Sequence, residues 1–95
     1  MKNYEIMFIL RSNLEQETIK AEIEKAKAIF DLDDSKVKEV KEWGFRELAY
    51  EIDHNKRGYY VLFDVEATVE AINEFDRKAR FSETIIRHLC IVKGE

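Results

Sequence analysis

The 95-residue chain has few of the residues that build several common kinds of site. Cys90 is its single cysteine, so no internal disulfide can form, and a reducing, cytoplasmic compartment is the simplest expectation. The three glycines are dispersed, which argues against a glycine-rich phosphate loop. His54 and His88 lie in different predicted elements with no cysteine cluster beside them, so we expect neither a zinc site nor any cofactor.

The chain also has no long apolar run, since none approaches the ~18 residues of a membrane span. Glu5 interrupts the first apolar stretch, and the N-terminus therefore shows no signal-peptide pattern. A hydrophobic content of 45% argues against disorder. We expect one domain over residues 1–95, with a single modest core.

The net charge of −4 is unevenly distributed along the chain. Segment 14–34 holds seven acidic and three basic residues, so its own net charge is −4 and the rest of the chain sums to zero. Segment 77–93 holds five basic residues against one acidic residue, Glu83. An acidic chain with one basic edge can still bind a phosphate backbone there.

Alternating and helical patterns predict the outer elements. Residues 3–10 and 85–92 are predicted strands, and the second of these has apolar residues of both parities. Residues 15–32 carry an apolar stripe at helical spacing, with Asn13 and Gln16 as a candidate capping box. Thr68 is a candidate N-cap for a second helix that ends near Arg80, and its predicted apolar stripe is Val69, Ile72, Phe75 and Ala79.

The middle of the chain predicts a β-hairpin. A strand from Lys36 continues through Gly44 to Ile52, a turn spans Asp53–Gly58, and a return strand spans Tyr59–Ala67. Val37 and Val40 have opposite parity, which predicts a β-bulge between them, and Gly44 allows a second irregularity. Tyr59 has the buried parity of its strand, and Tyr60 has the other.

The element order β-α-β-β-α-β predicts an α+β, ferredoxin-like sandwich: a four-stranded antiparallel sheet with two helices on one face. The other face of the sheet is left open. We expect the helix side of the sheet to bury eight residues: Ile6, Phe8, Ile23, Phe30, Leu48, Val65, Phe75 and Leu89.

The stretch from Gly44 to Asp53 resembles the signature of one ribosomal protein family, that of the sixth protein of the bacterial small subunit. Nine of its ten positions fit, and Asp53 departs from the basic or small residue that is usual at the tenth. The matching residues that carry the resemblance are Gly44, Arg46, Glu47, Leu48, Ala49, Tyr50 and Ile52. Tyr4-Glu5 and Gly58-Tyr59 also resemble the family, so the likeness covers nearly the whole chain.

The resemblance implies a structural component of the small ribosomal subunit, with no enzymatic activity. It implies binding to the central domain of the small-subunit ribosomal RNA together with the eighteenth small-subunit protein. The chain ends at Gly94-Glu95 without the long charged tail of some relatives, so we expect no contacts from a tail.

Basic residues are the candidates for RNA contact, because Arg and Lys make most phosphate contacts. Arg46 and Arg87 are the strongest, since each interrupts an apolar strand where a charge brings no packing benefit. The full set of candidates is Lys2, Arg46, Lys56, Arg57, Arg80, Arg87 and Lys93.

Apolar residues expected outside the two-helix core are the candidates for the protein partner, because contiguous exposed apolar residues usually mark a protein interface. With one aromatic among aliphatic residues, this surface is a poor platform for stacking bases. The candidates are Met7, Ile9, Tyr60, Leu62, Cys90 and Val92.

The second interpretation is a small-molecule-binding or acylphosphatase-like domain of the same fold. An acylphosphatase would carry a glycine-rich phosphate loop after the first strand. The corresponding loop, Arg11–Leu14, has an arginine but no glycine. Nothing in the sequence selects a catalytic pair among the carboxylates, and no base is placed beside Cys90 to make it a nucleophile.

Overall fold

Six elements follow one another in the computed structural model, which describes residues 1–31, 33–52 and 54–93. They are β1 (Lys2–Arg11), α1 (Gln16–Ile29), β2 (Lys36–Ile52), β3 (Asn55–Ala67), α2 (Val69–Arg80) and β4 (Ile85–Val92). The expectations for Leu32, Asp53, Gly94 and Glu95 lie outside the described residues.

The four strands form one antiparallel sheet in the order β2-β3-β1-β4. Both helices pack on the face made by the even-numbered residues of β1 from Tyr4 to Leu10 and by their partners on β3. We call this side the helix face and the other side the open face. The predicted ferredoxin-like α+β sandwich is confirmed.

Aromatic packing lies at the centre of the core on the helix face. Phe8 contacts Phe63 edge-on at 5.2 Å between ring centroids, and Phe75 lies 5.8 Å from Phe8 and 6.1 Å from Phe30. From α1 the core takes Ile19, Ile23, Ala26 and Ile29, and from α2 it takes Ala71, Phe75 and Ala79.

Two of the eight core predictions are wrong. Leu89 is 48% exposed, because β4 pairs it with Met7 on the open face. Leu48 is half-buried and lies beside Ile9 and Gly58, away from the helices. In the predicted stripe of α2, Val69 is also exposed, and Ala71 is buried in its place.

The two helix starts differ. Thr68 is the N-cap of α2, and its hydroxyl accepts the N–H of Ala71 at 3.1 Å, as predicted. The capping box at Asn13 and Gln16 is wrong, because the N-cap of α1 is Glu15, which makes no capping bond with its side chain.

Both irregularities predicted in β2 are confirmed. The register with β3 shifts between Val37 and Glu39 and again between Glu42 and Gly44, where Gly44 has a φ of 82°. The predicted turn of six residues is too long, since β3 already begins at Asn55. Lys56 and Arg57 therefore belong to a strand rather than to the tip of a loop.

Candidate functional site

One cross-strand row spans the whole open face. Gly44 on β2 pairs with Tyr60 on β3, Tyr60 pairs with Ile9 on β1, and Ile9 pairs with Arg87 on β4. Since paired residues of antiparallel strands point to the same side, Tyr60 and Arg87 both face away from the helices. The candidate site is built around the two ends of this row.

An aromatic and arginine cluster occupies the β2 end of the row. The ring of Trp43 stacks on that of Tyr60, with 6.3 Å between centroids and 12° between planes. The guanidinium carbon of Arg46 lies 5.5 Å from the centre of the Trp43 ring. Trp43 is 47% exposed, so one aromatic surface and one cation are open to solvent together.

A second arginine and aromatic pair occupies the β4 end. Arg87 donates a hydrogen bond of 2.7 Å to the Tyr50 hydroxyl, and its guanidinium carbon lies 6.0 Å from the Tyr50 ring centre. Tyr50 is part of β2, on the opposite edge of the sheet from β4. The distal part of the β2–β3 hairpin therefore reaches across the open face.

This crossing explains why Ile9 is only 2% exposed on a face without helices. Leu48 lies beside it, and any Cβ on Gly58 would overlap the γ2 methyl of Ile9. Register pairs Glu47 with Arg57 and then Ile52 with Asn55, so residues 48–51 of β2 lie opposite Lys56 alone. The extra length bends the hairpin over Ile9. Ile9 lies outside the two-helix core, as predicted, but it is buried under this hairpin instead of lying at the surface.

An apolar stripe lies next to the row. Met7 pairs with Leu62 on one side and with Leu89 on the other, and Ile91 extends the stripe along β4. Met7 and Leu62 are half-buried, while Leu89 and Ile91 are each 48% exposed. The predicted positions of Met7, Tyr60 and Leu62 outside the two-helix core are confirmed.

The placement of Cys90 and Val92 on the open face is wrong. Cys90 pairs with Ile6 and packs against the core, and Val92 pairs with Tyr4 on the same side. Burial, with a smaller effect from the negative charge of Asp76, raises the pKa of the Cys90 thiol to about 11. A thiol in this state is a packing residue and not a nucleophile at neutral pH.

His88 also faces the helices, where it lies 2.8 Å from a carboxylate oxygen of Asp76 on α2. The other oxygen of Asp76 is 3.0 Å from Nε of Arg80. The hydrogen bond with His88 comes first among the causes that lower the pKa of Asp76, and the positive charge of Arg80 adds to it. Through His88, the Asp76 side chain thus links β4 to α2. Its second contact, with Arg80, is an ion pair within α2.

The seven basic candidates do not form one patch. Arg46 and Arg87 lie on the open face, whereas Arg57 stacks on Phe45, whose partner Tyr59 faces the helices. Lys93 pairs with Asp64 at 3.2 Å, and Arg80 pairs with Asp76. Lys2 and Lys56 are exposed at opposite ends of the paired β1 and β3.

The acidic segment is kept away from the open face, because α1 packs on the helix face. Within α1, Glu22 pairs with Lys25 at 3.2 Å and Glu24 pairs with Lys27 at 3.3 Å. In the described ranges 1–31, 33–52 and 54–93, no group of three or more histidine, cysteine or carboxylate side chains is arranged to hold a metal ion.

Sequence reasoning missed Trp43 and Leu48 as members of this surface, and it did not place Tyr50 beside Arg87. Trp43 is the extra residue of the bulge between Glu42 and Gly44, so alternation along the strand does not tell which side it faces. Tyr50 lies in the segment 48–51, where regular pairing is interrupted. One signal in the sequence could have indicated this cluster: Trp43, Gly44 and Arg46 lie close together in the chain.

The fold and this surface define a ferredoxin-like sandwich whose open sheet face carries exposed arginines, aromatic rings and an apolar stripe. The family model for ribosomal protein S6 matches residues 3–92. The chain belongs to the ribosomal protein S6 family.

Solved structures agree with this assignment. The 30S ribosomal protein S6 of Thermotoga maritima is 27% identical, with a TM-score of 0.91 over 97% of this chain and 87% of that one. A protein of Arabidopsis thaliana, 15% identical with a TM-score of 0.57, covers 100% of this chain and 95% of that one, and shares the fold alone.

The chain is therefore a ribosomal protein of the small subunit, in a family of structural components rather than enzymes. The family places it in the ribosome, in the cytoplasm. Separately, none of the helices in the described parts of the chain is long and apolar enough to cross a membrane.

Proposed function

We propose that this chain is a structural component that binds the central domain of the small-subunit ribosomal RNA, and that it does so together with the eighteenth small-subunit protein. The observation that carries the proposal is the match to the S6 family over residues 3–92. The open face offers two kinds of contact: Arg46 and Arg87 at the two ends of the cross-strand row for RNA, and the apolar stripe beside them for protein.

Arg46 and Arg87 support the RNA part of the proposal. Both side chains are exposed, and in the described part of the chain no carboxylate lies within ion-pair distance of either. Their charges are thus available to phosphates, unlike those of Arg80 and Lys93. Arginine offers several N–H donors to one phosphate, which suits it to this contact.

The stripe of Met7, Leu62, Leu89 and Ile91 supports the protein part of the proposal. It is continuous across three strands and includes two side chains that are about half exposed. Covering such a stripe removes apolar surface from water, at roughly 25 cal/mol per Å². Tyr60 lies at its border, between the stripe and the arginine cluster.

Co-sedimentation with small subunits tests the ribosomal role directly. The purified chain should sediment with small subunits that lack it, and the double variant Arg46→Ala, Arg87→Ala should do so poorly. Arg77→Ala is the matched control, because Arg77 is exposed on α2 and already pairs with Glu74 at 2.9 Å. Wild-type assembly by the double variant would contradict the assignment of these two arginines to RNA.

A charge in the apolar stripe tests the protein interface. Leu62→Asp should weaken binding to the partner protein, measured by calorimetry, more than it lowers the free energy of unfolding. Val69→Asp, at a 58% exposed apolar position on α2, should leave partner binding unchanged. Equal partner affinity of Leu62→Asp and wild type would remove the stripe from the interface.

A further inference from the structure

The bulge in β2 contains Trp43, and neither the strand pattern nor the family match assigns a function to this residue. Glu42 pairs with Val61 and Gly44 pairs with Tyr60, so Trp43 is inserted between two successive pairs. Gly44 has a φ of 82°, a backbone conformation that glycine adopts readily and residues with a Cβ do not. The bulge leaves Trp43 without a ladder partner, and its ring stacks on Tyr60, the residue that Gly44 pairs with.

Tyr60 supports the Trp43 ring from behind. The two planes are within 12° of each other, while Trp43 remains 47% exposed. A large aromatic ring held in a fixed plane at a strand edge loses little conformational freedom when a flat ligand stacks on it. Arg46 lies over the same ring, with its guanidinium carbon 5.5 Å from the ring centre, so this cation is part of the Trp43 surface that a ligand meets.

We propose that Trp43, Tyr60 and Arg46 form a site for one unpaired nucleotide of RNA. The base stacks on the Trp43 ring, and the Arg46 guanidinium binds the adjacent phosphate. This inference rests on the proposed function and names the RNA element that the open face accepts. Single-stranded and looped RNA is recognised by such stacking on aromatic rings, since every base has a π-face.

The second arginine, Arg87, offers the RNA a second phosphate contact on the open face. Arg87 lies at the far end of the row that starts at Gly44, three strand spacings of ~4.8 Å away, or ~14 Å. Tyr50 holds its guanidinium through the 2.7 Å hydrogen bond. An unpaired strand that crosses the hairpin from Arg46 toward Arg87 meets a phosphate-binding group at each end.

Two alternatives fit the geometry less well. In a duplex the base faces are stacked on one another, and the deep, narrow major groove of A-form RNA does not admit a ring held on a sheet. An apolar protein surface over Trp43 would also bury the Arg46 guanidinium without supplying a counter-charge, which is costly. The apolar stripe lies one row away and can take the protein partner separately.

Trp43 is the chain's single tryptophan, so its own fluorescence reports on the site. A single-stranded oligoadenylate added at low salt should quench this emission, and an RNA duplex of the same length should not. Trp43→Leu should bind the oligonucleotide on the order of tenfold more weakly in a filter assay. Trp43→Phe keeps a π-face and should restore most of the affinity, which a loss of folding would not allow.

The salt dependence separates stacking from charge. Trp43→Leu should leave the slope of log K against log salt unchanged, whereas Arg46→Gln should make it shallower by about 0.7. Phe81→Leu is the matched control for loss of an exposed ring, because Phe81 is 80% exposed at the end of α2.

Three outcomes would overturn the site: equal quenching by duplex, wild-type affinity of Trp43→Leu, or emission that changes only when the partner protein is added. Absence of oligonucleotide binding, with normal incorporation of Trp43→Leu into small subunits, would overturn it as well. The proposed function is judged separately, by co-sedimentation of the wild-type chain. Wild-type sedimentation combined with any of these results would refute this site alone.

Discussion

Asp33 is the residue through which the end of α1 is joined to the start of α2. Its carboxylate accepts the N–H of Ser35 at 2.7 Å and the hydroxyl of Thr68 at 2.7 Å. Ser35 is buried, and its hydroxyl oxygen accepts the N–H of Thr68 at 3.0 Å. Because Thr68 also caps α2, loss of one group leaves several donors without an acceptor.

The Asp33 network predicts a pH-dependent stability. The side chains of Ser35 and Thr68, followed by the backbone N–H of Ser35, hold the pKa of Asp33 below its usual value. A lowered carboxyl pKa in the folded state stabilises the protein above the unfolded pKa of about 3.9 and ceases to do so as pH falls through the folded value. The difference in unfolding free energy between wild type and Asp33→Asn should shrink as the pH falls from the unfolded pKa of Asp33 through its lowered folded pKa.

Urea denaturation at a series of pH values measures that difference. Thr68→Ser, which keeps the hydroxyl, should retain the pH dependence, while Thr68→Ala should lose part of it together with about 1 kcal/mol of helix capping. A difference between wild type and Asp33→Asn that stays constant with pH would show that this network does not lower the pKa of Asp33.

Cys90 predicts slow thiol chemistry. Burial raises the pKa of the Cys90 thiol to about 11 from an ordinary value of 9.0, so its thiolate fraction at neutral pH falls roughly a hundredfold. Alkylation by iodoacetamide, followed by mass spectrometry, should be slower by about that factor in the folded chain than in urea. Equal rates in the two states would show that Cys90 is open to solvent rather than packed against the core.

At the scale of the element, α2 depends on one aromatic side chain. Phe75 is 1% exposed and contacts Phe8, Phe30 and His88, whereas Phe81 at the end of the same helix is 80% exposed. Phe75→Ala should cost roughly 3–5 kcal/mol in the free energy of unfolding, because it leaves a cavity under α2. Phe81→Ala should be close to neutral in the same chemical denaturation experiment. A similar cost for both would contradict the packing of α2 on the sheet.

The hairpin depends on two glycines for different reasons. At Gly58 an added Cβ would overlap the γ2 methyl of Ile9 and lie 3.3 Å from the carbonyl oxygen of Leu10. We expect Gly58→Ala to cost about 1–3 kcal/mol through overpacking. Ile9→Ala in the same chain should reduce that cost, and a double-mutant cycle by thermal unfolding measures the coupling.

Gly44→Ala gives a contrast within the same hairpin. Its Cβ would meet nothing within 4 Å, so only the positive φ of 82° is unfavourable, at about 1–2 kcal/mol.

For the cycle at Gly58 and Ile9, additive effects of Gly58→Ala and Ile9→Ala would show that the hairpin does not lie against Ile9.

At the scale of the whole molecule, charge is divided between two sides of the sheet. The acidic α1 lies on the helix face, and Arg46 and Arg87 lie on the open face. With few phosphates neutralised, the isolated chain should bind the central-domain RNA weakly and with a shallow salt dependence, at about 0.9 or less in slope per contact. The partner protein should raise the affinity strongly.

Binding assays at several salt concentrations, with and without the partner, measure this slope. The double variant Arg46→Ala, Arg87→Ala should flatten it by about 1.4–1.8. Neutralising Glu17 and Glu24 on the distant α1 should change the affinity for RNA only slightly at moderate salt. Salt screens interactions between charges that are more than about 10 Å apart. Tight binding by the isolated chain with a steep slope would refute this picture.

Much of the fold was readable in the sequence because it is local. Alternation along β1 and β3, the helical stripes, the Thr68 cap and the bulges near Val37 and Gly44 follow from residues a few positions apart. These patterns report which side chains share one face of one element, and they sufficed for the element order and the ferredoxin-like fold.

The faces of β4 were decided only in the tertiary structure. Leu89 and Ile91 have one parity and Cys90 and Val92 have the other, and all four are apolar, so alternation cannot select the buried side. Pairing of Leu89 with Met7 and of Cys90 with Ile6 selects it. Stability depends on which set fills the space under α2, and that space exists only when the sheet is assembled.

The candidate site shows the same division. Arg46 and Arg87 stood out in the sequence as charges within apolar strands, but nothing in the sequence placed Trp43 and Tyr50 beside them. One neighbour is placed by a bulge and the other by a hairpin that crosses to the far edge of the sheet. Contacts between elements distant in the chain depend on the register and twist of the whole sheet, and a periodic pattern within one strand carries no information about either.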